Sequence, residues 1–165
     1  MLAFLIRFLS FFALCLWVGG GAAIGFLAAP VIFEKAGSRR LAGEIVGDIL
    51  RRFDTYVFVA GPIALLMVLL EMGATVGAGR TMSLRVVLVA AMLGLALYSR
   101  FSLTPEIRRL REEMGDELDH VPREDPRRRA FGRLHGFSVL CLMAEILLGA
   151  FAIALAVMTL SVPGG

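Results

Sequence analysis

Residues 136–162 read GFSVLCLMAEILLGAFAIALAVMTLSV, and Glu145 is the only charged side chain in this run. About 20 apolar residues are enough to cross the hydrocarbon core of a bilayer as an α-helix. Hydrophobic residues make up 58% of the whole chain, against roughly half in a soluble domain. The predicted transmembrane segments are residues 8–33, 55–79, 81–99 and 136–162. The sequence therefore predicts an all-α integral membrane protein, a four-helix transmembrane bundle that forms a single domain over residues 1–165.

Positive charge is distributed unevenly between the two ends of the predicted helices. Residues 34–54 and 100–134 together hold 14 of the 17 Lys and Arg residues, and the opposite side holds only Arg7, Arg80 and Arg85. The positive-inside rule places the arginine-rich segments in the cytoplasm and both termini outside. The scarcity of Lys beside Arg indicates a GC-rich bacterial genome, and hence a bacterial cytoplasmic membrane. Contact with anionic lipid headgroups explains the arginines better than nucleic-acid binding does.

Both cytoplasmic segments contain an amphipathic helical pattern. In residues 38–54 apolar side chains recur every four residues, which predicts an interfacial helix that leads into the second span. A second amphipathic helix is expected to begin with Thr104 as its N-cap and Pro105 in its first turn, and to lie on the bundle or on the membrane. Residues 119–129, which contain two prolines and many charges, are expected to form a solvated linker that includes His120.

The first span contains small residues at helical spacing. Gly21 and Gly25 are four positions apart, which predicts a face that lets a neighbouring helix approach closely. Pro30 is expected to bend or end this helix, because proline cannot donate a backbone hydrogen bond.

Glu71 and Arg85 are ionisable residues of the second and third spans. The connection between these spans is short, so the helices are expected to pack antiparallel with the two charges within about two turns in depth. We therefore expect a structural ion pair between Glu71 and Arg85. A proton-carrying role for Glu71 is the alternative.

A polar stripe runs along the fourth span. At about 100° per residue, His135, Ser138, Cys141 and Glu145 fall on one side of the helix. An ionisable group deep in a bilayer usually faces the protein interior and marks a functional site. In one interpretation Glu145 exchanges protons or coordinates a cation, and Ser138 and His135 lead to the cytoplasm.

Two other interpretations of the stripe remain open. Cys141 and His135 offer soft ligands for a metal ion such as Cu(I), although they lie about 120° apart around the helix. Alternatively Glu145 is structural, neutral and hydrogen-bonded to a neighbouring hydroxyl, and holds the bundle in register.

The chain shows no nucleophile–base pair, phosphate-binding loop or closely spaced Cys/His cluster. The sequence therefore does not indicate an enzyme and identifies no cofactor. The alternatives to transport are a non-catalytic assembly or scaffold subunit, which packs through its glycine faces, and a membrane redox or lipid-modifying enzyme. Four helices enclose little space for a pore, so a homodimer is expected if anything is carried across.

Several motifs follow one another along the chain. The most specific is Phe-x-Arg-x-His-Gly-x-Ser at residues 131–138, at the entry to the fourth span. Weaker ones are Trp17 with the small residues after it, Leu-Thr-Pro-Glu at residues 103–106 and Asp-Pro at residues 125–126. In this order the motifs resemble those of the transmembrane-protein-205-like family of small four-helix membrane proteins.

The resemblance implies an integral membrane protein without a settled biochemical activity. A eukaryotic relative is associated with resistance to platinum drugs, which implies handling of a soft-metal complex and points to His135, Ser138 and Cys141 in this chain. Similar proteins often have Asn where this chain has Leu142, on the same stripe as Glu145. Either Glu145 has taken over the polar function of that Asn, or the site is altered.

Overall fold

The computed structural model describes residues 1–74, 79–115, 121–122 and 124–161. Within them the helices are α1 (Leu2–Ala22), α2 (Ala29–Lys35), α3 (Arg39–Ala74), α4 (Arg80–Tyr98), α5 (Thr104–Met114) and α6 (Pro126–Ser161). The π-helical segments Ala23–Ala28 and Ser99–Leu103 join α1 to α2 and α4 to α5. Four continuous helical stretches result, each long and apolar enough to span a membrane, which confirms the predicted fold class. His120 and most of residues 116–123 lie outside the described residues.

The four spanning helices pack as a closed bundle. Helices α1 and α4 each contact both α3 and α6, and α5 lies against α6. The core of the bundle includes Leu14, Trp17, Val68 and Met92. Large apolar side chains such as Phe4 are exposed on the outside, as expected for a surface that faces lipid.

Helices α3 and α6 are longer than a bilayer requires. Each contains 36 residues, or about 54 Å at the usual rise, whereas the hydrocarbon core is about 30 Å thick. The apolar run of α6 begins only near Gly136, so the excess length of this helix lies at the arginine-rich end. The interfacial helix expected at residues 38–54 is part of α3, because no helix breaker separates it from the second span.

The second amphipathic segment packs on the bundle. Leu110 and Met114 of α5 are buried and form a small apolar cluster with Val121, against which Phe131 and Leu134 of α6 pack. This cluster fixes α5 against the first turns of α6, at the arginine-rich end of the molecule.

Each π-helical segment ends two residues before a proline, Pro30 or Pro105. A proline inside an α-helix clashes with the carbonyl group four residues earlier, and the wider π turn provides room for it. The backbone N–H of Thr104 donates to the carbonyl oxygen of Ser99, and the Thr104 hydroxyl does so at 3.0 Å. Helix α5 begins at Thr104 with Pro105 in its first turn, as expected, but its N-cap is Leu103, so the prediction of Thr104 as the N-cap is wrong. Pro30 likewise does not end the first helical stretch, which continues to Lys35.

The predicted glycine face of the first span packs within the chain. A Cβ atom on Gly21 would lie 3.3 Å from Leu142 Cδ1, and one on Gly25 would lie 3.5 Å from Met143 Cε. The close approach expected at these glycines is thus between α1 and the side chains of α6. This removes Gly21 and Gly25 as a surface for a scaffold partner.

Candidate functional site

A cavity of about 430 Å³ lies between α3, α5 and α6 at the arginine-rich end of the bundle. Its size is typical of small-molecule sites. Along α6 it extends from Arg128 to Glu145, roughly 26 Å along the helix axis. Much of its wall is apolar, with contributions from Val46, Leu50, Phe53, Val57, Ala96, Ile107, Val139 and Leu142.

Glu145 lies at the inner end of this cavity and is only 7% exposed. Its Oε2 accepts a hydrogen bond of 3.2 Å from Nε1 of Trp17, which α1 contributes. Among the described residues no Arg, Lys or His nitrogen lies within 4.0 Å of the Glu145 carboxylate. The carboxylate therefore has one neutral donor and faces a cavity.

Trp17 is held firmly in this position. It is 2% exposed, and a Cβ atom on Gly61 of α3 would lie 3.0 Å from its Cζ3 atom. The absence of a side chain at Gly61 lets the six-membered ring of the indole pack against α3 while its N–H donates to Glu145 of α6. Sequence reasoning did not find this contact, because the two residues are 128 positions apart.

The cavity brings together part of the predicted polar stripe. His135 and Ser138 line it with Glu145, whereas Cys141 is not among its lining residues. The His135 ring stacks on Phe131 with ring centroids 6.1 Å apart. In the part of the chain that the structure describes, no group of three or more His, Cys, Asp or Glu side chains is placed to hold a metal ion. A metal site formed by Cys141 and His135 stays a prediction.

Charged residues outside the predicted stripe also line the cavity. Asp54 of α3 is half-buried and adds a second carboxylate. Five arginines line it as well: Arg39 and Arg51 of α3, Arg108 and Arg111 of α5, and Arg128 of α6. The sequence indicated only that these arginines lie near the membrane surface. Asp54 could have been identified from its position, because it is an acidic residue directly before the apolar run of the second span.

Arg111 links three helices at the cavity. Its Nη1 donates to the carbonyl oxygen of Gly43 in α3 at 3.2 Å, and its guanidinium carbon lies 5.7 Å from the centre of the Phe131 ring in α6. Its Nε is buried and has no hydrogen-bond partner among the described residues. Arg111 therefore holds the outer part of the cavity in shape and retains a donor that the chain does not use.

The other two predicted site residues lie apart from the cavity. Arg85 Nη1 is 3.1 Å from Glu71 Oε2, and the two side chains are 2% and 7% exposed. Arg7 Nε lies 3.5 Å from Glu71 Oε1, a contact that sequence reasoning missed. Glu71 thus links α1, α3 and α4 through ion pairs.

Comparisons with known proteins place the chain in a family. Neither a search of curated proteins nor a search of solved structures finds a match. A family model described as a domain of unknown function, DUF4149, matches residues 12–116. The match covers the second half of α1 and all of α2 to α5, whereas α6 with Glu145 lies beyond it. Because the match spans more than half of the sequence, the chain belongs to the DUF4149 family.

Proposed function

We propose that this protein is a small membrane transport protein in which Glu145 binds a proton or a metal cation at the inner end of the cavity. Buried carboxylates in membranes usually pair with a cation or mark an ion pathway. Glu71 has Arg85 and Arg7 as partners, whereas Glu145 has only the indole N–H of Trp17 among the described residues. The cavity-facing Glu145 carboxylate, which has no cationic partner in the part of the chain that the structure describes, is the observation that carries the proposal.

The position of the cavity supports access from one side. Its lining residues reach from the arginine-rich end to Glu145, and the apolar core around Trp17 and Met92 fills the bundle beyond. In secondary transporters a site that opens to one side at a time is the basis of alternating access. Asp54 supplies a second carboxylate for a divalent cation or for proton exchange with Glu145.

The resemblance to the transmembrane-protein-205-like family supports a soft-metal complex as cargo. His135 and Ser138 lie on the cavity wall between the arginine-rich end and Glu145, so such a complex would pass them on its way to Glu145. The proposal includes a bacterial cytoplasmic membrane, the arginine-rich end in the cytoplasm and both termini outside. It also includes a homodimer, because a single bundle of four helices offers little width for a pathway.

Flux measurements with the purified protein in liposomes test the proposal. Proton flux is followed with the trapped dye pyranine under a potassium diffusion potential, and Cu(I) uptake is followed in parallel. Replacement of Glu145 by Gln removes the charge and keeps the size, so flux should fall to that of protein-free liposomes. Glu113→Gln is the matched control, because Glu113 is exposed on α5 and does not line the cavity.

Two outcomes would contradict transport at Glu145. One is wild-type flux of both probes in a folded Glu145→Gln protein, which would leave Glu145 a structural role only. The other is a wild-type protein that moves neither probe faster than protein-free liposomes do. Trp17→Phe separates the structural role of the Glu145 carboxylate from its role in transport. This variant removes the indole donor but keeps the acid that the transport proposal requires.

A further inference from the structure

We propose that the arginine-lined end of the cavity binds the phosphate group of an anionic amphiphile, whose apolar chain lies along the cavity wall toward Leu142. We call this end the arginine mouth, defined by Arg39, Arg51, Arg108, Arg111 and Arg128. The proposal concerns a different part of the cavity from Glu145 and does not depend on cation transport.

The arginine mouth carries excess positive charge. Five guanidinium groups line the cavity against two carboxylates, those of Asp54 and Glu145. Arg51 is paired with the carboxylate of Asp48 at 2.7 Å. Arg111 donates to a neutral backbone carbonyl, and this hydrogen bond does not offset its positive charge. Among the described residues Arg108 forms no ion pair, so its guanidinium is available to a ligand.

Like charges are held close together at this end. Arg108 and Arg111 are one turn apart on α5, a spacing at which like charges repel, and Arg128 lines the same cavity from α6. A bound anion would offset this repulsion. Guanidinium groups form paired, charge-assisted hydrogen bonds with phosphate oxygens, a geometry that a Lys ammonium cannot provide. The buried Nε of Arg111, without a partner in the described chain, is an additional donor at this position.

The remainder of the cavity is suited to a hydrocarbon chain. Val57, Val139 and Leu142 line it between the arginine mouth and Glu145. The distance along α6 from Arg128 to Leu142 is roughly 21 Å, enough to accommodate an extended chain below a headgroup. Inorganic phosphate would occupy only the arginine mouth and leave this apolar wall uncovered. The combination of charge and apolar wall therefore favours an amphiphile.

A simpler role for the arginines is general attraction to anionic headgroups at the membrane surface. That role would involve every exposed arginine at this end equally, including Arg109. Arg109 lies beside Arg108 on α5, does not line the cavity and forms ion pairs with Glu106 and Glu113. Arg109 is therefore a matched control for Arg108.

Binding of dodecyl phosphate to the protein in phosphatidylcholine nanodiscs tests the proposal. Arg108→Gln should raise its Kd about tenfold, the effect of losing a hydrogen bond to a charged group, whereas Arg109→Gln should leave it nearly unchanged. Inorganic phosphate should bind much more weakly than dodecyl phosphate, because it gains nothing from the apolar wall. Glu145→Gln should retain dodecyl phosphate binding, which separates this proposal from cation transport.

A second measurement reports where the chain lies. Trp17 is the only tryptophan, is 2% exposed, and donates to Glu145 at the inner end of the cavity. Dodecyl phosphate with a bromine at the end of its chain should quench Trp17 fluorescence in the wild type and in Arg109→Gln, and much less in Arg108→Gln. Lipid outside the bundle does not reach the buried indole.

Three results would overturn the proposal. Equal loss of binding in Arg108→Gln and Arg109→Gln would indicate surface attraction only. Inorganic phosphate that binds as tightly as dodecyl phosphate, with no quenching of Trp17, would indicate a site for the free anion. Failure of the wild type to bind dodecyl phosphate would exclude the site altogether. Because Arg108 forms no ion pair with a described residue, its replacement is not expected to unfold the protein.

Discussion

Glu71 and Glu145 are equally buried, each 7% exposed, but their surroundings differ. Arg85 and Arg7 neutralise Glu71 from two other helices. Glu145 receives one hydrogen bond from the neutral indole of Trp17, although an ionised carboxylate can accept about four. Glu71 therefore joins helices, and Glu145 keeps acceptor capacity directed at the cavity.

Gly149 of α6 lies at a position where the packing leaves no room for a side chain. A Cβ atom on Gly149 would lie 2.3 Å from Val18 Cγ2 and 2.8 Å from Met92 Cε, closer than real contacts allow. We expect Gly149→Ala to force α1, α4 and α6 apart and to destabilise the bundle by about 1–3 kcal/mol. Unfolding in mixed micelles measures the change in free energy.

Gly94→Ala is the control for Gly149→Ala. Gly94 lies in α4, and nothing is within 4 Å of a Cβ atom placed on it. Alanine favours helix over glycine, so this variant should be as stable as the wild type or slightly more stable. Equal stability of the two variants would show that α6 does not pack as closely as described.

At the level of elements, α6 begins with a well-defined cap. Asp125 Oδ1 accepts the backbone N–H of Arg127 at 2.8 Å, and Pro126 occupies the first helical position, where no donor is needed. Side-chain and backbone hydrogen bonds from Arg127 lower the pKa of Asp125 from 3.8 to about 2. Because the folded-state pKa is lowered, the stabilisation is present above the ordinary pKa and is lost as the pH falls through about 2.

We expect Asp125→Ala to increase amide hydrogen exchange in the first turn of α6. The effect should be local, because the middle of α6 is held by packing against α1 and α4. Asp125→Asn retains an acceptor oxygen and should preserve most of the protection. Exchange measured by mass spectrometry at neutral pH, where the wild-type cap is ionised, compares the three proteins. Similar exchange in all three would mean that the cap does not hold this turn.

The elements were predictable only in part. Long apolar runs reveal the four spans, because burial in lipid requires a continuous apolar helix. The continuous helix through residues 39–74 was not predicted, because the amphipathic pattern and the apolar run were interpreted as separate elements. The π-helical segments were missed too, although Pro30 and Pro105 inside helical patterns were visible signals. Local sequence does not reveal whether a proline ends a helix or widens its preceding turn.

The site could be predicted less well than the spans. Glu145 could be identified because it is the single charged residue of the fourth span. Helical periodicity placed His135 and Ser138 on the same side of the helix. The donor Trp17 and the arginine mouth could not be inferred, because they reach the cavity from helices far away in sequence. Such contacts depend on how the helices are rotated in the bundle, which composition and periodicity do not determine.

At the level of the whole molecule, the distribution of the arginines predicts an orientation in the membrane. We expect the arginine-rich end to face the cytoplasm and the C-terminus to lie outside. Alkaline phosphatase fused to the C-terminus in a bacterial host should then be active, and green fluorescent protein fused there should be dark. Fusions after Gly115 should show the opposite pattern. A fluorescent C-terminal fusion would contradict the orientation, and the arginine mouth would then open outside.

The pair between Glu71 and Arg85 also has a consequence for biogenesis. The two residues are 14 positions apart in the hairpin of α3 and α4, so they leave the ribosome almost together. An unpaired arginine in a membrane helix raises the free energy of insertion, by about 2.5–3.5 kcal/mol at the helix centre and by less near the helix ends, and a paired charge lowers this barrier. The hairpin can therefore enter the lipid with Glu71 and Arg85 already paired, so that the second and third spans integrate together rather than in succession.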